Sequence, residues 1–111
     1  TEMLQRGGAF KGAQLLSPRT VAFMLSDHGD SAQQIAPGYG PGLGLGVLHD
    51  PIKHGRLGEP GEASWAGLAN TYFWISPESK TTFMAWTQLF PWAAPAFRSE
   101  MAPLVYGAEV K

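Results

Sequence analysis

From Gly61 to Gln88 the chain reads GEASWAGLANTYFWISPESKTTFMAWTQ, two runs rich in aromatic and β-branched residues separated by Ser-Pro-Glu-Ser-Lys. Runs of this kind pair as antiparallel strands across a turn. Period-two alternation sets Trp65, Gly67, Ala69, Thr71, Phe73 and Ile75 on one face and Ser64, Ala66, Leu68, Asn70, Tyr72 and Trp74 on the other. Both faces become apolar in the second half of the first run, which predicts a sheet covered on both sides. The first half carries smaller residues.

What covers the hairpin has to come from a short chain. With 111 residues, 44% of them hydrophobic, there is material for one core and one domain, 1–111. A domain of this size buries roughly 60 to 70% of its unfolded surface, so the loss of any covering element would be felt. SPRTVAFMLSDH starts a helix, with Ser17 as N-cap and Pro18 in the first turn; Val21, Met24 and Leu25 then share a face, so a short helix is expected near 18–27. At the far end Phe97, Met101, Leu104 and Val105 fall at helical spacing, which predicts a C-terminal helix near 94–106. Pro103 should kink or break it near Ser99. Met3 and Leu4 look like the last turn of a helix closed by Gly7 and Gly8, and a helix at the first residues suggests further sequence upstream.

In PGYGPGLGLGVLHD, glycine recurs at every second position from Gly38 to Gly46. An extended chain would turn all five glycines to one side, with a helix or another chain packed tightly on that bare face. Neither phosphate-loop spacing is satisfied. Asp50 to Glu62 holds three glycines and two prolines and reads as a long surface loop. His54 lies there with Asp50, next to His49, but their spacing crosses Pro51 and no further ligand is near, so no metal is expected. The whole is an α+β chain: an antiparallel sheet of about three strands, near 42–49, 63–75 and 81–89, with the two helices.

Several classes are excluded. A net charge of −1 provides no basic surface for nucleic acid, and without cysteine there are no disulfides and no thiol chemistry. No apolar window reaches the roughly 18 residues of a membrane span, so the chain reads as soluble. No signal pattern or other feature of the sequence reports a compartment.

The order of several motifs now carries a resemblance. Leu-Leu-Ser-Pro-x-Thr-Val (15–21), Pro-Gly-Tyr-Gly-x-Gly-Leu-Gly-x-Gly (37–46), Trp-x-Gly-x-x-x-Thr-Tyr-Phe-Trp-Ile-x-Pro (65–77), Thr87-Gln88 and Leu-Val-Tyr (104–106) together resemble the C-terminal part of the serine β-lactamase-like superfamily. Within it the pattern most resembles family VIII carboxylesterases, which are similar to class C β-lactamases and penicillin-binding proteins. The resemblance implies a partial β-lactamase/transpeptidase-like fold and no cofactor. It also implies a serine nucleophile in Ser-x-x-Lys, an assisting tyrosine and a strand box of Lys-Thr-Gly or Trp-x-Gly form. Trp65, Ala66 and Gly67 match that last box; by the match Leu68 offers a backbone N–H to an oxyanion and Trp65 walls the pocket, against the alternative of an ordinary buried indole. Asn70 stands where relatives often have glycine, and asparagine tolerates the left-handed backbone.

The nucleophile motif is missing. None of Ser17, Ser26, Ser31, Ser64, Ser76, Ser79 and Ser99 has lysine three positions on, and no tyrosine sits in a Tyr-x-Asn box. The expectation is therefore a C-terminal segment of an esterase-like hydrolase that binds but does not acylate alone, with an ester or β-lactam as the small-molecule ligand. Its exposed edge and apolar face would call for a second copy or a missing N-terminal half. Two other readings stand: a non-catalytic binding or oligomerising module, and an enzyme using His28 with Asp27 or Asp30, or His49 with Asp50.

Overall fold

The structure, a computed structural model, describes residues 1–91 and 97–108. In chain order its elements are α1 (Glu2–Gln5), β1 (Ala9–Phe10), β2 (Ala13–Gln14), α2 (Pro18–Met24), β3 (Tyr39–Pro41), β4 (Gly46–Leu48), α3 (Pro51–His54), β5 (Glu62–Ala66), β6 (Tyr72–Ser76), β7 (Thr81–Ala85) and α4 (Phe97–Ala108). β1 and β2 pair as a small ribbon, and β3-β4-β5-β6-β7 form a five-stranded sheet in that order. Every pairing is antiparallel. The α+β class and the antiparallel sheet are as expected.

The strand count is not three, for two local reasons. The expected strand 42–49 is β4 alone, because Gly42 N donates to the Leu45 carbonyl at 2.7 Å and Gly44 turns left-handed (φ +79°), folding the glycine run into a β3–β4 hairpin. Its glycines therefore do not share one bare face. Tyr39 crosses directly over Gly46 to bring its hydroxyl to Ser64 Oγ, 2.8 Å away, and the Asp27 carboxylate sits over Gly40. A side chain on Gly46 would collide with the Tyr39 ring. The expected strand 63–75 is likewise two strands, β5 and β6, joined by a turn over Gly67–Thr71. Because Ala66 pairs with Tyr72, the turn preserves the expected alternation: Trp65 and Phe73 share one face, Ala66 and Tyr72 the other.

The third expected strand, 81–89, stops at Ala85. Beyond it the chain leaves the ladder and bonds to the Gly67–Thr71 turn, with Leu89 N on the Ala69 carbonyl at 3.1 Å. α2 begins as read, the Ser17 hydroxyl accepting from Thr20 N at 3.0 Å, and ends at Met24. The expected surface loop 50–62 contains α3, capped by Asp50 on Lys53 N and closed by left-handed Gly55, and its last residue is not on the surface: Glu62 is fully buried.

The core lies between one sheet face and α4. Trp74 is fully buried, stacked on Phe83 at 4.1 Å between ring centroids and near Tyr106 at 6.2 Å. Ala102, also fully buried, brings α4 close, and Met101 and Val105 pack beside it. Burying such aromatic surface stabilises by about 25 cal/mol per Å². α4 does not break at Ser99; it runs through Pro103, which points away from the core into solvent. Residues 94–96 of the expected helix lie outside the described residues. On the opposite sheet face Val47, Ala63 and Ile75 form a buried row, but in the neighbouring row Trp65 and Met84 are exposed. Cover on both sides is thus found in one row and not in the next.

Candidate active site

Among the described residues β4 pairs with Glu62, Ala63 and Ser64 only, so Trp65 and Ala66 are held by β6 on one side and have no strand on the other. The strand becomes a free edge at the residues that match the Trp-x-Gly box. Beyond it the turn is closed by Gly67 N donating to the Thr71 carbonyl at 2.7 Å and Asn70 N donating to the Gly67 carbonyl at 3.1 Å. Asn70 takes the left-handed conformation (φ +63°). Leu68 projects at the tip, 69% exposed, and its N–H donates to no acceptor among the described residues.

Two hollows flank this edge. One, of about 430 Å³, is bordered by Tyr39, His54, Arg56, Trp65, Ala66 and Arg98, among others. The other, of about 250 Å³, is bounded by Ala66, Gly67, Leu68 and Arg98. The Trp65 indole is about half exposed, on the sheet face opposite α4. Structure therefore brings Trp65, Ala66, Gly67 and Leu68 together at one open rim.

Behind the rim the polar groups are firmly engaged. Buried Glu62 accepts from Arg56 and, at 2.7 Å, from the Tyr106 hydroxyl of α4. Burial acts to lower the basicity of Arg56, but the hydrogen bond and charge of Glu62 outweigh it and leave the guanidinium more firmly protonated. Burial raises the phenols of Tyr39 and Tyr72, and burial with adjacent Glu62 raises that of Tyr106 further. Ser76 and the Ser79 N–H both donate to Glu59. Ser64 is buried and shares its hydroxyl with Tyr39.

The histidine pairs read from adjacent positions do not form. His28 Nε2 meets the Phe23 carbonyl at 2.6 Å, while Asp27 and Asp30 each accept a backbone N–H of their own loop. His49 Nε2 lies 3.3 Å from Asp27 and 3.2 Å from Gln34, not on Asp50, which caps α3. Residues adjacent in sequence on an extended strand point apart, and the partner came from a distant loop. His54 stacks on Tyr39 and contacts the Pro37 carbonyl. Among the described residues no three His, Asp or Glu side chains gather as metal ligands, and no helix is long and apolar enough to cross a membrane.

Sequence reasoning missed Arg56, Glu62, Arg98 and Tyr106. Glu62 follows a Gly-Pro-rich stretch and gives no sign that it opens a buried strand; Arg98 and Tyr106 are placed by the docking of α4, which no local pattern reports.

No protein-family model and no curated protein matches the sequence. Among solved structures the chain is similar to EstCE1, a hydrolase with promiscuous acyltransferase activity: 27% identity and a TM-score of 0.80 over 96% of this chain and 27% of that one. It is also similar to simvastatin synthase (LovD) from Aspergillus terreus, with 19% identity and a TM-score of 0.65 over 90% of this chain and 29% of that one. The chain thus spans little more than a quarter of the length of these proteins. The likeness of fold supports a relation to the β-lactamase-like superfamily, of which the chain represents a part.

Proposed function

We propose that the chain supplies the oxyanion strand and one pocket wall of an esterase-like serine hydrolase of the carboxylesterase type, whose attacking hydroxyl lies on polypeptide outside these 111 residues. The observation that carries this reading is the Leu68 N–H, left without an acceptor among the described residues at the tip of a bonded turn, next to a free strand edge. When a serine hydroxyl attacks an ester carbonyl, the C–O π pair moves onto oxygen as the new C–O bond forms. That oxyanion needs fixed N–H donors within hydrogen-bond reach. Collapse of the adduct returns the pair and breaks the bond to the leaving alkoxide, which takes up the proton released by the serine hydroxyl and departs as the alcohol. Leu68 would serve as one donor, and the half-exposed Trp65 would bound the substrate on one side. The activity of EstCE1, a hydrolase with promiscuous acyltransferase activity, fits an acyl intermediate that water or an alcohol can resolve.

The direct experiment combines the purified chain with the complementary N-terminal portion of a structural relative and follows a chromogenic short-chain ester. The chain alone is expected to be silent and the mixture active. Turnover by the chain alone would overturn the proposal. A second reading, a non-catalytic binding or oligomerising α+β module, draws on the open row of Trp65 and Met84. It predicts a stable self-associated species that no complementary half converts to an enzyme.

A further inference from the structure

Asparagine at position 70 does more than tolerate a left-handed backbone. The residue is 1% exposed, and its side chain reaches in two directions. Nδ2 donates to the Leu89 carbonyl at 2.9 Å and lies 3.4 Å from that of Pro91, both in the segment after β7. Oδ1 faces Arg98 Nη2 of α4 at 3.5 Å, and the same nitrogen donates to the Gly67 carbonyl at 3.2 Å. Thr87 Oγ1 adds a bond to the Ala69 carbonyl at 2.6 Å, and Thr71 Oγ1 one to the Thr87 carbonyl at 3.3 Å. A turn of five residues is therefore fastened to the segment after β7 and to α4 through side chains, while the Leu68 N–H and carbonyl make no backbone bond among the described residues.

We infer that Asn70 and Arg98 are positioning residues that lock the Gly67–Thr71 turn and so fix the direction of the Leu68 N–H. A donor on an exposed loop tip would ordinarily move; here both flanking carbonyls, those of Gly67 and Ala69, are held by groups outside the turn. Preorganisation of this kind matters because a donor that must be ordered during the reaction stabilises the oxyanion less. The link to catalysis rests on the proposed role of Leu68, but the lock itself is tested without any turnover.

The experiment compares Asn70→Gly with the parent 111-residue chain by amide exchange and ¹⁵N relaxation. Glycine adopts the same φ without strain, so the substitution removes the side-chain bonds and spares the backbone. The expected result is that the Gly67 and Leu89 amides exchange at least about tenfold faster and the Leu68 N–H order parameter falls, while the β6 amides of Trp74 and Ile75 keep their protection. Arg98→Met, which keeps an apolar stem beside Tyr72, is expected to loosen the Gly67 end in the same way. A purely structural role would instead lower protection in β6 and the turn together. That result, or unchanged exchange at Gly67 and Leu89 in both variants, would overturn the inference.

Discussion

Glu62 has no exposed surface, and its carboxylate is shared between a guanidinium on the loop before β5 and a phenol on α4. A buried pair of this kind adds little compared with apolar residues of the same shape, but removing one partner strands a charge. Arg56→Met is expected to cost about 3 to 5 kcal/mol, and Tyr106→Phe about 1 to 3 kcal/mol, in urea unfolding. The phenol also sets an alkaline limit. Tyr106 titrates above the ordinary value of 10.0, first because it is buried and then because its protonated hydroxyl donates a hydrogen bond to Glu62, and burial moves Tyr39 and Tyr72 the same way. A pKa raised on folding means that the unfolded chain loses the proton first as pH rises. The stabilisation is complete below pH 10 and declines above it. Unfolding curves should hold a plateau from pH 8 to 10 and then fall, and Tyr106→Phe should make that fall shallower.

At the scale of elements, what was legible in the sequence was what neighbours in sequence decide. Ser17 and Pro18 begin α2 because a cap needs only the next three residues, and β6 and β7 show their period directly. The Gly67–Thr71 turn was hidden. Ala69, Asn70 and Thr71 fit the alternation of a continuous strand, and besides the turn's own two backbone bonds, those that fasten it come from Thr87, Leu89 and Arg98, far away in sequence. The glycine run misled for the opposite reason: its regular spacing mimicked a strand, while a left-handed glycine in its middle made a hairpin. The box Trp65 to Leu68 was legible as a motif, but not its open edge, which depends on where β4 stops pairing. α4 runs through Pro103 because that position faces solvent, yet the proline still lacks the N–H that the Ser99 carbonyl would accept. Pro103→Ala is expected to raise stability by up to about 3 kcal/mol, read as a higher urea midpoint with an unchanged slope.

On the scale of the whole molecule, the sheet has one finished face and one unfinished face. α4 covers Tyr72 and Trp74, whereas Trp65 and Met84 opposite remain exposed, as do Trp86 and Phe90 beyond β7. Exposed apolar surface of this kind marks an interface. In isolation the chain is expected to self-associate, and the double change Trp65→Ser with Met84→Ser should shift sedimentation equilibrium toward monomer while leaving the urea midpoint nearly unchanged, since both side chains already meet solvent. The same face belongs to a molecule that spans little more than a quarter of its solved relatives, and the chemistry proposed for it depends on one backbone N–H. The most direct measurement replaces that group alone. In the enzyme completed with its complementary half, Leu68→Pro deletes the N–H and Leu68→Ala keeps it. The account predicts that kcat for a short-chain ester falls about 10²- to 10³-fold in Leu68→Pro and stays near the parent value in Leu68→Ala. Equal kcat for the proline variant and the parent would contradict it.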